Sequence, residues 1–318
     1  MTAITGKIGV TKRPGELGVH SMDHFGMSVP DLAAAERFYG DFGLIVREEG
    51  QGLGLYTEGS EHRWMQLSEG PRKKLGHLSF GVFEEDFEPM KTRIERAGVR
   101  LVDPPRGSDS NGVWFFDPFG IPIELKVAEK SSPNVKTSFD MASCPPGQAA
   151  APLRSRAART RPRRLAHLLM FSPDIGRSID FYCRALGLRL SDRSGDGVCF
   201  LHGIHGSDHH MIAFAKSAAP GMHHVSWDVG SIDDIGRGAM HMADRGFQKG
   251  WGLGRHVLGS NYFHYIGDPW GSYSEYSCDI DYIPLDTDWE AGDHDPQDGF
   301  YLWGPELPAD FVHNFEAE

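Results

Sequence analysis

The chain repeats itself, and this repeat limits the possible folds more than any other feature of the sequence. The segment DHFGMSVPDLAAAERFYGDFGL begins at Asp23, and AHLLMFSPDIGRSIDFYCRALGL begins at Ala166. In each segment a histidine is followed by Met three residues on, by Pro-Asp at six and seven, and by Phe-Tyr at fourteen and fifteen. A self-match at one fixed period indicates a duplicated structural unit.

Two further pairs of segments follow in the same order. HLSFGV begins at His77 and matches HVSWDV from His224, while DPFGIPIE ends on Glu124 and matches DPWGSYSE, which ends on Glu275. The offsets between the two copies are 143, 147 and 151 residues, a slow drift typical of a duplicated domain with small insertions. Three ordered matches indicate two homologous halves.

The local patterns predict the same elements in both halves. HFGMSV and HLLMFS are short apolar runs that predict strands, and the following Pro-Asp steps predict turns into helices capped by Asp31 and Asp174. LAAAERFYGDF and IGRSIDFYCRAL have the apolar spacing of helices, and LGLYT and VCFLHG predict further strands. A second such unit begins at His77 and at His224, with helices in FEPMKTRIERAG and DIGRGAMHMADRG. We therefore expect an α+β fold of two domains, each a pair of βαβββ modules whose mixed sheet curls around a cavity.

Composition divides the chain further. We expect an N-terminal domain at 20–130, a linker rich in Pro, Ala and Arg at 131–164, a C-terminal domain at 165–285 and a tail at 286–318. The six arginines between Arg154 and Arg164 predict either a basic patch for an acidic partner or a solvated, partly mobile connector. Because the rest of the chain is acidic, we favour the connector. The tail aromatics are expected to pack over the second domain.

Charge and hydrophobicity exclude several classes of protein. A formal net charge of -12 argues against a nucleic-acid binder, which needs a basic face. No run approaches the roughly 18 apolar residues of a membrane span, and the N-terminus has no apolar core of signal-peptide length. The four cysteines form no CxxC pair and suit a reducing compartment. We expect a cytoplasmic enzyme with neither nucleic-acid nor membrane partners.

Three predicted strands of the second half provide a candidate metal site. Two imidazoles and one carboxylate, from His167, His224 and Glu275, would occupy one face of an ion and leave three positions open. This is the ligand set of non-haem iron(II) oxygenases. A single strand histidine is more often a core or surface residue, but the recurrence of His, His and Glu in both halves favours a site.

The residues around this triad resemble a known family. HLLMFSPD, MHHVSWDVGSIDDIG and LGRHVLGSNYFHYIGDPWGSYSEY are similar to segments of the type I extradiol ring-cleaving dioxygenases, in the vicinal oxygen chelate superfamily. The resemblance implies the glyoxalase/extradiol dioxygenase fold, with His167, His224 and Glu275 as ligands of Fe(2+), for which Mn(2+) could substitute. His223 would not be a ligand. The implied partners are a small aromatic diol and O2, and the implied assembly is a homo-oligomer.

The same resemblance assigns three catalytic residues. In HHMIAF it implies that His210 is the acid-base histidine, in GRH that His256 binds substrate, and nine residues later that Tyr265 is the active-site tyrosine. Catechol binding to the metal would release a proton, His256 and Tyr265 would hydrogen-bond the substrate oxygens, and His210 would act as general acid. The bond broken would lie beside the diol.

Each of these assignments has an alternative. His209 could replace His210 as the acid-base residue, His256 could be a solvated loop residue, and Tyr265 an ordinary strand aromatic. His202 and His205 form an HxxH pattern that could bind a second metal, but no carboxylate pattern accompanies it, so we interpret it as surface loop.

The first half retains possible ligands but not the catalytic set. His24, His77 and Glu124 match the three ligands of the second half. Trp114 stands where Tyr265 is expected, the position of His256 falls near Pro105, and only His62 could replace His210. We expect this domain to be non-catalytic, its retained residues satisfied by hydrogen bonds, and a second metal at these residues stays the alternative.

Two other functions stay open at the level of sequence. A glyoxalase-type isomerase or lyase would use a divalent metal without dioxygen, and a small-molecule binding protein of the same superfamily would need no metal. The set of His210, His256 and Tyr265 favours extradiol cleavage, in aromatic compound degradation. Whether the catechol is monocyclic, bicyclic or trihydroxylated cannot be read from the sequence.

Overall fold

The computed structural model describes residues 11–105, 110–141 and 143–318. The described part of the first half forms one seven-stranded sheet with two α-helices. Its elements are β1 (Ser21–Val29), α1 (Leu32–Phe42), β2 (Ile45–Glu49), β3 (Gly52–Tyr56), β4 (Met65–Glu69), β5 (Lys74–Val82), α2 (Phe87–Arg96), β6 (Val113–Phe116) and β7 (Pro122–Val127).

The second half forms a ten-stranded sheet and a small two-stranded one. Its elements are β8 (Arg164–Ser172), α3 (Ile175–Leu186), β9 (Arg189–Ser194), β10 (Val198–His202), β11 (Ser207–Asp208), β12 (Ile212–Lys216), β13 (Gly221–Asp228), α4 (Ile232–Asp244), β14 (Gly250–His256), β15 (Tyr262–Gly267), β16 (Tyr273–Cys278), β17 (Tyr282–Ile283), β18 (Gly292–Asp293), α5 (Pro296–Gly299) and β19 (Tyr301–Trp303).

Local sequence signals set the ends of the helices. The Asp31 carboxylate accepts a hydrogen bond from the Ala34 backbone N–H at the start of α1, and Asp174 accepts one from Arg177 at the start of α3. Both predicted N-caps are thereby confirmed. Gly43 ends α1 in the left-handed conformation, with φ of 109°, which a residue with a side chain rarely adopts.

The two sheets have the same strand order around two central strands. The first runs β2-β3-β4-β1-β5-β7-β6, and the second runs β18-β9-β10-β12-β8-β13-β16-β15-β14-β19. The predicted α+β class and the two-domain architecture are confirmed. One module is shorter than expected. After α2, the strand that would precede β6 is reduced, in the described residues, to a single bridge between Val102 and Trp114.

The halves pack closely against each other. The rings of Phe42 and Tyr276 stack with centroids 3.9 Å apart, and the Tyr276 hydroxyl donates to the Phe42 carbonyl. The Arg93 guanidinium donates to backbone carbonyls on the other side, including that of Cys183 at 2.9 Å.

Among the residues that the structure describes, no helix has both the length and the apolar character needed to cross a membrane.

The end of the arginine-rich segment differs from the solvated connector that we expected. Arg163 donates to the Asp228 carboxylate at 2.7 Å, and Arg164, the first residue of β8, lies 2.7 Å from Asp208. Both guanidiniums are buried, and a buried charge is stable only when paired in this way. These two arginines are therefore part of the core, while Arg154 is exposed.

Candidate metal centre

Three adjacent strands place the predicted ligands on one face of the second sheet. Ser226 on β13 lies opposite His167 on β8 and opposite Glu275 on β16. His224 precedes Ser226 by two residues, and side chains two residues apart in a strand point to the same face. The strand register therefore brings all three side chains together.

The ligand atoms form a compact triangle. Oε2 of Glu275 lies 3.2 Å from Nε2 of His167 and 3.5 Å from Nε2 of His224, and the two nitrogens are 3.3 Å apart. Atoms that bind a shared ion at about 2.1 Å lie roughly 3.0–3.5 Å from one another. Within residues 11–105, 110–141 and 143–318, this is the one group of three His, Cys, Asp or Glu residues close enough to hold a metal.

The buried carboxylate shows that the site fits a cation. Glu275 is fully buried, yet its Oε2 accepts no hydrogen bond from the described residues. A buried carboxylate without a partner is strongly unfavourable. Burial lowers the pKa of the His224 imidazole well below its usual value, and the neighbouring histidines lower it further. Imidazole lone pairs beside a carboxylate are the donor set that a divalent metal requires.

Asn261 orients the carboxylate, and sequence reasoning missed it. Its Nδ2 donates to Oε1 of Glu275 at 3.2 Å and to the Ser277 hydroxyl at 3.0 Å, which leaves Oε2 for a metal. Such contacts to ligating carboxylates fix their orientation. Asn261 lies within the quoted signature, but the residue alone gave no sign that it would face Glu275 across the sheet.

His223 fixes the tautomer of His224. Nε2 of His223 donates to the Phe311 carbonyl at 2.7 Å, because a carbonyl can only accept. Nδ1 of His223 then accepts the Nδ1–H of His224, also at 2.7 Å. The lone pair of His224 is thereby on Nε2, which faces the other ligands. His223 thus orients His224 through this contact, and Phe311 links the tail to the site.

A cavity of about 240 Å³ opens beside the ligands, and all three predicted catalytic residues line it. The Tyr265 hydroxyl lies 2.9 Å from Nε2 of His256, whose Nδ1 donates to the Phe300 carbonyl at 2.9 Å. This arrangement makes Nε2 of His256 the acceptor and Tyr265 the donor. The alternative of a solvated loop for His256 is wrong, since it is the last residue of β14.

Burial keeps these groups neutral. The imidazole ring of His210 lies 4.1 Å from that of His167, centroid to centroid. Burial lowers the pKa of His210 well below its usual value, as it lowers that of His256. Burial raises the pKa of Tyr265 well above 10, and the charge of Glu275 adds to this effect. The cavity therefore presents a neutral imidazole as a base and a neutral phenol as a donor.

The HxxH histidines are not on the surface loop that we predicted. His202 and His205 are buried, at 4% and 0% exposure. Nδ1 of His202 lies 2.8 Å from the Ser191 hydroxyl, and Nδ1 of His205 accepts from the Arg13 backbone at 3.1 Å. Burial lowers the pKa of His202 to about 3. Both are core histidines with neutral partners, so the interpretation that they bind no second metal agrees with their contacts.

The first half has the two histidines but not the triangle. Nε2 of His24 and Nε2 of His77 lie 3.3 Å apart, as in the second half. Glu124, however, accepts a hydrogen bond from the Ser79 hydroxyl at 2.6 Å and does not join them within 4.8 Å. Trp114 lies opposite Glu124 in the sheet, where Tyr265 lies opposite Glu275. The Glu124 carboxylate therefore does not complete a metal triangle with His24 and His77, although its Oε1 accepts no hydrogen bond from the described residues.

Comparisons with known proteins agree with this geometry. The family model described as the Glyoxalase/Bleomycin resistance protein/Dioxygenase superfamily matches residues 21–125 and 164–276. The chain is 50% identical over 299 residues to Metapyrocatechase 2 of Cupriavidus necator, covering 94% of this chain and 93% of that protein.

Solved structures share the fold over most of the chain. The Mn(II)-bound glyoxalase from Novosphingobium aromaticivorans superposes with a TM-score of 0.70 at 27% identity, covering 95% of this chain and 99% of that one. Homoprotocatechuate 2,3-dioxygenase from Arthrobacter globiformis gives 0.74 at 20% identity, covering 96% and 95%. As the family resemblance of its segments implied, the chain belongs to the Glyoxalase/Bleomycin resistance protein/Dioxygenase superfamily.

Proposed function

We propose that this protein is an extradiol dioxygenase, which opens the ring of a catechol-type diol with O2 beside its two hydroxyls. The observation that supports this best is one cavity that contains the ligand triangle together with His210, His256 and Tyr265. The 50% identity to a metapyrocatechase supports the same activity. A glyoxalase-type isomerase would need the triangle but not this proton-handling set.

We propose His167, His224 and Glu275 as the ligands of Fe(2+), with Mn(2+) as a possible substitute. Two nitrogens and one hard oxygen suit both ions. When bound, the metal would supply open positions for both the diol and O2 and would lower the pKa of a diol hydroxyl. The rest of the chemistry depends on the residues of the cavity wall.

Three residues handle the protons of the diol. The Tyr265 hydroxyl donates to Nε2 of His256 at 2.9 Å, and when a diol oxygen accepts this hydrogen instead, Nε2 of His256 becomes free to accept from a diol hydroxyl. His210 is neutral, so its free nitrogen can take a proton released within the cavity and return it later as a general acid. Burial excludes bulk water, which strengthens these hydrogen bonds.

The cavity wall favours an uncharged ring. Besides the histidines and Tyr265, most of the lining is apolar and includes the side chains Leu169, Val198, Phe200, Ala215, Leu258, Phe300, Phe311 and Val312. Among the described residues that line the cavity, none is a Lys or an Arg. A carboxylate on the substrate ring would therefore lose its hydration without gaining a cation.

Uncharged catechols are accordingly the expected substrates. After anaerobic loading with Fe(2+), catechol and methylcatechols should give the yellow ring-opened product with one O2 consumed for each diol. Catechols with a carboxylate on the ring or on a short side chain should show kcat/KM at least about 100-fold lower, since an unpaired buried charge costs several kcal/mol. Oxygen uptake and absorbance over the panel measure both quantities.

The outcomes separate the possible functions. Oxygen uptake with an uncharged catechol supports dioxygenase activity. No uptake with any diol, in protein shown to contain iron, would contradict it and leave the isomerase or binding protein. Equal rates for charged and uncharged catechols would contradict the substrate class alone. The homo-oligomeric state that the family resemblance implies stays a prediction.

A further inference from the structure

We infer that Asp192 and His209 are positioning residues, which hold His210 in the tautomer whose Nε2 lone pair is free for the substrate. This inference rests on the proposed function, because it assigns a role in the proton transfer expected of His210. It concerns which ring nitrogen of His210 bears the hydrogen.

The chain of contacts begins at a carboxylate that only accepts. Oδ2 of Asp192 lies 2.8 Å from Nε2 of His209, while Oδ1 accepts from Nε2 of His294 at 2.7 Å and from the Gly292 backbone N–H at 2.9 Å. Burial alone would raise the pKa of Asp192, but these hydrogen bonds outweigh it and the pKa is lowered. An ionised carboxylate cannot donate, so Nε2 of His209 bears a hydrogen.

The hydrogen on His209 determines the hydrogen on His210. A His209 ring with its single hydrogen on Nε2 has a lone pair on Nδ1, which lies 3.1 Å from Nδ1 of His210. Nδ1 of His210 must then be the donor, and its Nε2 is left with the lone pair. His209 is 1% exposed, and the Ser191 hydroxyl donates to its carbonyl oxygen, so the ring has little freedom to turn away.

The same contact between the Nδ1 atoms of two adjacent histidines occurs at a second place in the chain. His223 and His224 are also adjacent, also joined Nδ1 to Nδ1, and in both pairs the second histidine lines the metal site. The two pairs differ in the group that accepts the hydrogen bond from Nε2 of the first histidine. His223 donates to the carbonyl of Phe311, whereas His209 donates to a carboxylate. Two independent pairs with one geometry indicate that the orientation is built into the site.

The test changes the carboxylate into an amide of the same shape. In an Asp192→Asn variant the amide oxygen would keep the two donors from Gly292 and His294, so the amide N–H₂ would face His209. Nε2 of His209 would then accept, and its hydrogen would move to Nδ1. His210 would accept in turn and bear its own hydrogen on Nε2, where it blocks the lone pair.

The expected result is a loss of turnover without a loss of binding. For Asp192→Asn we expect kcat with catechol to fall about 10²–10⁴-fold, as when a catalytic histidine is held in the wrong tautomer. The KM for catechol and the iron content should change by no more than about threefold, because no ligand is touched. Asp293→Asn is the matched control: this exposed carboxylate pairs with Arg193 on the same two strands, and kcat should stay within about twofold.

Nitrogen NMR measures the tautomer without using activity. In ¹⁵N-histidine-labelled, zinc-loaded protein, the His210 signals are assigned by their absence from a His210→Asn variant. The parent should show hydrogen on Nδ1, and Asp192→Asn should show it on Nε2. Hydrogen on Nε2 of His210 in the parent would overturn the inference, and so would parental kcat in a folded Asp192→Asn variant. If the parent opens no catechol, the proposed function fails, while the NMR result still decides the tautomer.

Discussion

Replacing Glu275 with glutamine is expected to abolish ring cleavage and to release the metal. Oε2 of Glu275 is the one charged atom of the ligand triangle, and it lies 3.2 Å and 3.5 Å from the two histidine nitrogens. A neutral amide is a much weaker ligand for a hard divalent ion. We expect metal affinity to fall at least about 100-fold and kcat/KM with catechol at least about 10³-fold. Metal analysis after dialysis and oxygen uptake measure the two effects.

The first half provides the matched control. Glu124→Gln makes the same chemical change at the corresponding position, where the carboxylate accepts a hydrogen bond from Ser79 and forms no ligand triangle with His24 and His77. Metal content and turnover should stay within about twofold of the parent. Two metals in each parental chain, one of them retained by Glu275→Gln and lost by Glu124→Gln, would show that the first half binds a metal as well.

Replacing His210 with asparagine is expected to stop turnover while substrate and metal still bind. His210 lines the cavity but is not part of the triangle, so its loss removes a proton acceptor and leaves the three ligands unchanged. General acid-base groups contribute about 10²–10⁴-fold to rate, and we expect kcat to fall by that factor. Anaerobic titration with catechol should give an affinity within about threefold of the parent. Stopped-flow mixing with O2 then measures the chemical steps alone.

His62→Asn is the control for this variant. His62 is the first-half residue that could have matched His210, and its Nε2 is bound to the Asp23 carbonyl at 2.7 Å. This variant should turn over catechol like the parent. Unchanged kcat in the His210 variant would exclude His210 as the acid-base residue. Loss of iron from it would instead show that His210 acts on the ligands, for example through the ring of His167.

Much of the fold could be predicted because its signals are local or repeated. Asp31 and Asp174 precede apolar helical spacing, and each caps its helix within three residues. The candidate ligands were found by a different signal. His167, His224 and Glu275 lie on three strands, and only the match between the two halves and the family resemblance marked them together.

Other parts of the site depend on contacts between distant residues. Asp192 and Asn261 act through His209 and Glu275, and nothing near them in sequence indicates these partners. A repeated motif does not guarantee a repeated site, since Glu124 matches Glu275 in sequence but accepts a hydrogen bond from Ser79 and forms no ligand triangle in the described residues. The remaining wrong predictions concern polar residues that were expected at the surface and are buried.

Polar residues are usually exposed, so the sequence favoured a surface position for several residues that prove to be buried. His202 and His205 lie in the core, and Arg163 and Arg164 are paired with buried carboxylates. Such pairing depends on tertiary structure, because each carboxylate comes from a strand distant in sequence. A local pattern cannot show it.

Anomalous X-ray diffraction from crystals of the iron-loaded protein, recorded above and below the iron absorption edge, locates the metal most directly. We expect one iron peak in each chain, within about 2.0–2.4 Å of Nε2 of His167, Nε2 of His224 and Oε2 of Glu275. No iron should lie between His24 and His77. A peak at that first-half pair, or no peak at the triangle in protein that turns over catechol, would contradict a single catalytic metal centre in the second half.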